Sequence, residues 1–259
     1  MTRLPSLFVS HGAPTFAIEP GLAGPKLSAL GRALPRPHAV LVVSPHWMTP
    51  RPRVGLVARP QTIHDFGGFD PALYKISYPV DGHPGLAQRA LEVLAAAGWA
   101  PQADERRGLD HGAWVPLRHL YPDADVPAFQ VSLPARLDGD SAWAFGAALS
   151  PLAEEGVLIV GSGSLTHNLS EFRAGAGSDE PYAAEFAAWV REAVAQGDSV
   201  RLRQTLAQAP HAKRAHPTTE HFWPLLVAAG AAPTLPATVI DGGITHGVLA
   251  MDAFVFGAA

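Results

Sequence analysis

Short runs of apolar, β-branched or aromatic residues, bounded by Gly, Pro or Ser, recur along the chain at positions 7–10, 39–44, 54–58, 128–132, 157–161 and 237–240. Runs of this length, apolar at consecutive positions, read as strands buried on both faces. Between them, apolar residues return every three or four positions in 86–97, which stops at Gly98, in 141–153, in 182–195 and in 221–229, which stops at Gly230. That spacing is helical, and a glycine after the last turn is a stop signal. Helices alternating with buried strands predict an α/β fold: a single domain over residues 1–259, with a central, largely parallel or mixed sheet flanked by helices on both faces. The 25 glycines and 25 prolines are scattered and not gathered into a linker, and no repeat divides the chain.

Composition narrows the chemistry. Nineteen Lys and Arg stand against 23 Asp and Glu, which leaves no basic stripe for nucleic-acid phosphates and no polybasic membrane anchor. A small molecule is the expected partner. Without cysteine, thiolate metal sites and cysteine nucleophiles are excluded, so any metal must sit on nitrogen and oxygen. The short apolar stretch at the N-terminus does not make a signal peptide, and no run of 18 apolar residues occurs. The expected location is the cytoplasm.

Twelve histidines are unusual mainly for where they fall. In open α/β sheets, ligands bind beyond the carboxyl ends of the strands. His11 follows the first predicted strand, His46 the second, and His167 lies a few residues past the run at 157–161. An imidazole ending an apolar strand needs a partner, and two such strands placed side by side would let His11 and His46 share a metal. Gly12, Gly161 and Gly163 suit tight turns in which backbone approaches a bound group. Glu220 and His221 fall at a predicted helix start, behind Pro217, Thr218 and Thr219 as a capping stretch. Glu220 is a candidate substrate contact and equally an acid complementing the helix dipole.

His111 and His167 sit in polar turns, Asp110-His111-Gly112 and Thr166-His167-Asn168, where a group titrating near neutral pH can move protons. Asp110 and Asn168 beside them suit either ring orientation or capping. His64, in the Gly-rich stretch 63–69, is a candidate substrate contact and equally a loop-ordering residue. His38, His83, His119, His211 and His246 have no evident partner group. No phosphate-loop lysine motif, His-Glu-x-x-His helix or Gly-x-Ser-x-Gly elbow occurs, and Gly161-Ser162-Gly163-Ser164 lacks the lysine of a phosphate cradle.

Taken in order, Ser10-His11-Gly12-Ala13-Pro14, Ser44-Pro45-His46-Trp47, Thr62-Ile63-His64-Asp65-Phe66-Gly67-Gly68-Phe69, Asp110-His111-Gly112-Ala113-Trp114, Thr166-His167-Asn168-Leu169 and the segment 217–226 resemble the successive motifs of the class III extradiol dioxygenases, in the DOPA 4,5-dioxygenase branch. The resemblance covers nearly the whole chain. It implies a mononuclear metal on His11, His46 and His221, with His167 as a further ligand or an acid/base and His111 as a second catalytic group. It also implies Fe(II) as the active metal and a catechol, DOPA-like, cleaved with O2. The broader class uses two histidines and a glutamate; here histidine stands at the third position with Glu220 beside it, a donor set that also accepts Zn(II). Two other readings share these residues: a zinc-dependent hydrolase that activates water in place of dioxygen, and a non-catalytic binding scaffold.

Overall fold

The structure is a computed structural model that describes residues 3–175 and 178–257. Ten strands are assigned among these residues: β1 (Ser6–Ser10), β2 (Ala39–Thr49), β3 (Arg53–Gly55), β4 (Gln102–Asp104), β5 (Ala128–Pro134), β6 (Val157–Gly163), β7 (Ala237–Ile240), β8 (Ile244–Thr245), β9 (Leu249–Ala250) and β10 (Ala253–Phe256). The helices are α1 (Ala23–Ala33), α2 (Pro84–Ala96), α3 (His111–Leu120), α4 (Gly139–Leu149), α5 (Leu169–Ala174), α6 (Pro181–Ala195), α7 (Ser199–Arg203), α8 (Thr205–Gln208), α9 (Ala212–Ala215) and α10 (Trp223–Ala231).

Eight strands form one mixed sheet in the order β4-β3-β5-β2-β6-β1-β10-β7. Its centre, β5-β2-β6-β1, is parallel throughout, and β10 and β7 add antiparallel strands beyond β1. All residues of β1, β5 and β6 are buried, including Gln130, Ser132 and Ser162, whose polar groups find hydrogen-bond partners inside. β6 shows how the helical layers are placed. Side chains alternate across a sheet; a Cβ on Gly161 or Gly163 would strike backbone at Pro224 or His221 at the start of α10, whereas Ser162 bonds Gly112 in the first turn of α3. α10 and α3 therefore cover opposite faces, and both begin at the carboxyl end of the parallel strands.

Several expectations change. β6 lies between β1 and β2, so the strands carrying His11 and His46 are not neighbours. β2 runs on to Thr49 through a register break between Ser44 and Met48, so His46 lies in an irregular stretch and not after the strand's end. The strand expected at 54–58 is the three-residue β3. Helix α4 stops at Leu149 and continues as a 3-10 turn over Ser150–Glu155. The last long helix begins at Trp223, two residues later than expected, with no side-chain cap, so Pro217 and the threonines do not cap it.

Gly230 lies inside α10, where a Cβ would meet the Trp143 carbonyl of α4, and Gly146 of α4 faces the Val227 carbonyl in the same way. These glycines, like Gly161 and Gly163, serve close packing of helix and strand and not turns. Gly12 fits the turn reading: its φ is +59° and a Cβ would press on the Met251 side chain.

Candidate metal centre

Three elements carry imidazoles to the carboxyl edge of the sheet. His11 leaves β1 with its N–H donated to the Gly163 carbonyl at 2.8 Å. His221 precedes α10, and its carbonyl accepts the Ser164 N–H at 3.0 Å over the bare surface of Gly163. His46 is swung inward by the break in β2 and closes the group: its Nε2 is 3.1 Å from His11 Nε2. One ring nitrogen from each of His11, His46 and His221 lies within 4.8 Å of the others. Gly112, in the first turn of α3, leaves room for this, since a Cβ there would collide with the Ser44 hydroxyl and sit 2.9 Å from the His46 ring.

Each ring turns its other nitrogen outward. His11 Nδ1 donates to Ser162 Oγ at 3.0 Å, and the Ser162 hydroxyl donates its own proton to the Gly112 carbonyl. His221 Nδ1 donates to Glu220 Oε1 at 2.9 Å, and His46 Nδ1 faces Asp65 Oδ2 at 3.6 Å. Acceptors at Nδ1 of His11 and His221 fix the proton there and leave their Nε2 lone pairs pointing inward. Burial holds all three rings neutral. It drives His11 and His221 well below the ordinary histidine range, and it takes His46 to about 3, with His111 adding to the effect. His221 Nε2 is buried with no hydrogen-bond partner among the described residues. A buried orphan lone pair beside two others is costly unless a cation takes them, so the donor set fits a divalent metal with open positions left over.

Two further groups flank this cluster. Asp65 Oδ1 accepts from both the backbone N–H of His111, at 2.9 Å, and its Nδ1, at 3.0 Å. Burial would raise the Asp65 carboxyl, but these bonds and the facing imidazole hold it down at about 2. On the other side the His167 ring stacks on His221 with centroids 3.5 Å apart and planes 9° from parallel. The stack is held through backbone, since the His167 N–H donates to the Ala215 carbonyl at 2.7 Å. His167 groups with Glu220 and His221, not with the His11–His46–His221 set.

His64 is not brought to the cluster. Its Nε2 donates to the Ile76 carbonyl at 2.9 Å, and it lines a separate cavity with Tyr74 and Tyr78. The neighbouring Asp65 takes the ring-orienting place expected of Asp110, accepting from His111 Nδ1. Asp110 is fully buried and turns away from the rings: it caps α3 and binds Gln130 and Arg107. Asn168 caps α5 and donates to the Arg214 carbonyl, so it does not orient His167. Glu220 lines the site cavity, and its Oε1 accepts from both His221 and Thr218. His38, His83, His119, His211 and His246 each make a hydrogen bond elsewhere.

A cavity of about 750 Å³ opens over the cluster, with His46, His111, His167 and His221 on its floor and Phe66, Phe69, Leu169 and Phe172 along its walls. Its size suits one small aromatic molecule. Neutral imidazoles converging on a metal-sized gap, a fixed imidazole on either side and an aromatic slot above describe a centre where a metal and an oxidisable ring can meet.

Comparison with known proteins agrees. The model of the family described as the catalytic LigB subunit of aromatic ring-opening dioxygenase matches residues 26–249. The chain is 40% identical over 256 residues to a protein from Beta vulgaris named 4,5-DOPA dioxygenase extradiol, covering 97% of this chain and 96% of that one. It is 39% identical over 256 residues to a protein of the same name from Escherichia coli K12, covering 96% and 93%. A solved structure of an uncharacterized Escherichia coli K12 protein superposes with a TM-score of 0.80 at 32% identity, covering 98% of this chain and all of that one. Fold, histidine cluster and these likenesses together establish that the chain belongs to the LigB family of metal-dependent, extradiol aromatic ring-opening dioxygenases, in its DOPA-like branch.

Proposed function

We propose that this dioxygenase opens a DOPA-like catechol beside its diol, at an Fe(II) ion held by His11, His46 and His221. The observation that carries the reading is the shared polarity of the three rings: Nδ1 of His11 and of His221 is hydrogen-bonded outward, Nδ1 of His46 is turned toward Asp65, and one nitrogen from each ring converges. His11, His46 and His221 would hold the ion, which would serve as a Lewis acid that lowers the pKa of the catechol hydroxyls and activates dioxygen.

The chain's own residues do the rest. His167 lines the cavity with its Nδ1 buried and without a partner among the described residues. Burial lowers its pKa below the ordinary value, so at neutral pH it stands ready as a base to take a phenolic proton and later return one. Its place outside the three-nitrogen set favours this role over ligation. His111, anchored by Asp65 through Nδ1, keeps Nε2 for a hydrogen bond to the substrate. Phe66, edge-on to His111 with centroids 5.6 Å apart, and Phe69 beside it shield the ring from water. Glu220 acts by orienting His221. No helix among the described residues is long and apolar enough to cross a membrane, and we place the enzyme in the cytoplasm, where iron stays reduced.

Anaerobic loading with Fe(II), followed by a panel of catechols in air, tests the reading. A yellow ring-opened product with O2 uptake is expected. Tight zinc binding with ester or amide turnover, and no catechol turnover, would replace the reading with a zinc hydrolase.

A further inference from the structure

The site cavity carries one permanent cation. Of the charged side chains that line it, Asp65 is tied to His111 and His46, and Glu220 to His221 and Thr218. Arg173 is the remaining one, and it makes no ion pair or side-chain hydrogen bond among the described residues. This is not for want of an acid nearby. Glu171, two residues back on α5, is engaged by Arg214 at 2.8 and 3.1 Å. Glu180 is likewise taken by Arg214, at 2.9 Å.

Position explains what such a cation would read. Leu169, Phe172 and Arg173 are spaced three and four apart on α5, so they share the face that lines the cavity. No residue of α5 is buried, and Arg173 is exposed, which puts it at the mouth while the histidines form the floor. A ring whose two hydroxyls must reach the floor turns its far substituent to the mouth. The walls it passes are aromatic and aliphatic, and among the described residues the one cation lining the cavity is this exposed guanidinium; Asp65, also exposed, is an acid already bonded to His111. Guanidinium pairs with carboxylate through two parallel hydrogen bonds.

We infer that Arg173 is a specificity-determining residue that selects catechols whose ring substituent ends in a carboxylate, by binding that group at the cavity mouth. The inference rests on the catechol dioxygenase reading of the same site and names the substrate class within it. Arg173 touches no reacting atom, so its effect falls on binding and not on the chemical step.

The test compares 3,4-dihydroxyphenylpropionate with 4-methylcatechol on Fe(II)-loaded enzyme, for wild type, Arg173→Gln and Arg173→Lys. Steady-state turnover in air is paired with anaerobic calorimetric titration, which reads binding whether or not the ring opens. In Arg173→Gln, KM and Kd for the acid should rise about tenfold, the scale of a charge-assisted hydrogen bond weakened by exposure. Values for 4-methylcatechol should stay within about twofold, and kcat for the acid should hold. Arg173→Lys should recover part of the loss, keeping the charge without the two-pronged geometry. Equal shifts for both ligands, or no shift for the acid, would overturn the inference. Failure of the wild type to open either ring while Arg173 still discriminates in the titration would instead overturn the dioxygenase reading and leave the carboxylate site standing.

Discussion

Ser162 Oγ accepts a hydrogen bond from His11 Nδ1 at 3.0 Å and donates its own to the Gly112 carbonyl, so a hydroxyl on β6 decides which nitrogen of His11 faces the cluster. Removing it leaves the Nδ1–H unpartnered in a dry interior and frees the ring to rotate or change tautomer. Ser162→Ala should therefore fold, yet bind Fe(II) about 10- to 100-fold more weakly. Metal titration against a competing chelator measures this, and unchanged affinity would remove Ser162 from the account.

The third ligand and its neighbour can be separated. His221→Ala deletes an inward lone pair, whereas Glu220→Gln keeps a side-chain oxygen able to accept from His221 Nδ1. The first should lose stoichiometric metal, as should His46→Ala. Glu220→Gln should retain metal with affinity reduced by at most about tenfold, because the amide is a weaker acceptor than the carboxylate. Elemental analysis after gel filtration distinguishes them. Metal retained in His221→Ala and lost in Glu220→Gln would restore a two-histidine, one-carboxylate centre.

His167 is stacked on a ligand without belonging to the converging set. His167→Gln should keep iron and bind catechol while turnover falls about 10²- to 10⁴-fold, the usual contribution of a placed acid/base group. The acid limb of the kcat pH profile should flatten as well. A parallel loss of metal would make His167 a fourth ligand.

The metal-free protein should be acid-labile, and the sign follows from burial. Burial lowers His46 to about 3 and His216 to about 4, and it lowers His11, His167 and His221 too. Below about pH 6.5 the unfolded chain takes up protons that these folded rings refuse. The unfolded state then binds more protons, so stability is full above about 6.5 and is lost as pH falls through the folded values. Each ring contributes up to about 1.4 kcal/mol per pH unit in that window. Urea midpoints of apoprotein at pH 7.5 and pH 5 should differ clearly, with the slope reduced in His216→Gln. Equal midpoints would contradict buried neutral rings.

Local pattern was enough for the parts of this protein that local physics decides. Mainly apolar runs marked β1, β2, β5 and β6 because strands covered on both faces have little polar surface to show. His11 could be placed at a strand end from the sequence, and the order of the histidine motifs carried the family. Partner choice could not be read this way. His64 and Asp65 are adjacent, and only the path of the loop decides that one ring meets the Ile76 carbonyl while the next side chain reaches His111.

Asp110 looks like the natural partner of His111 along the chain, but the buried Gln130 and Arg107 claim it. The string around Ser162 signals a polar group inside an apolar strand; its use depends on α3 arriving at Gly112 from a distant part of the chain. Likewise, His11 and His46 meet across an intervening strand because β2 breaks register beside the Gly112 gap. The central strands β1, β2, β5 and β6 and the place of His11 at the end of β1 are legible locally, since burial and period act within a few residues, whereas β4, β8, β9 and β10 and the place of His46 inside β2 are not. Tertiary structure alone decided which atom of each ring points inward, because that depends on acceptors supplied by segments far away in the chain.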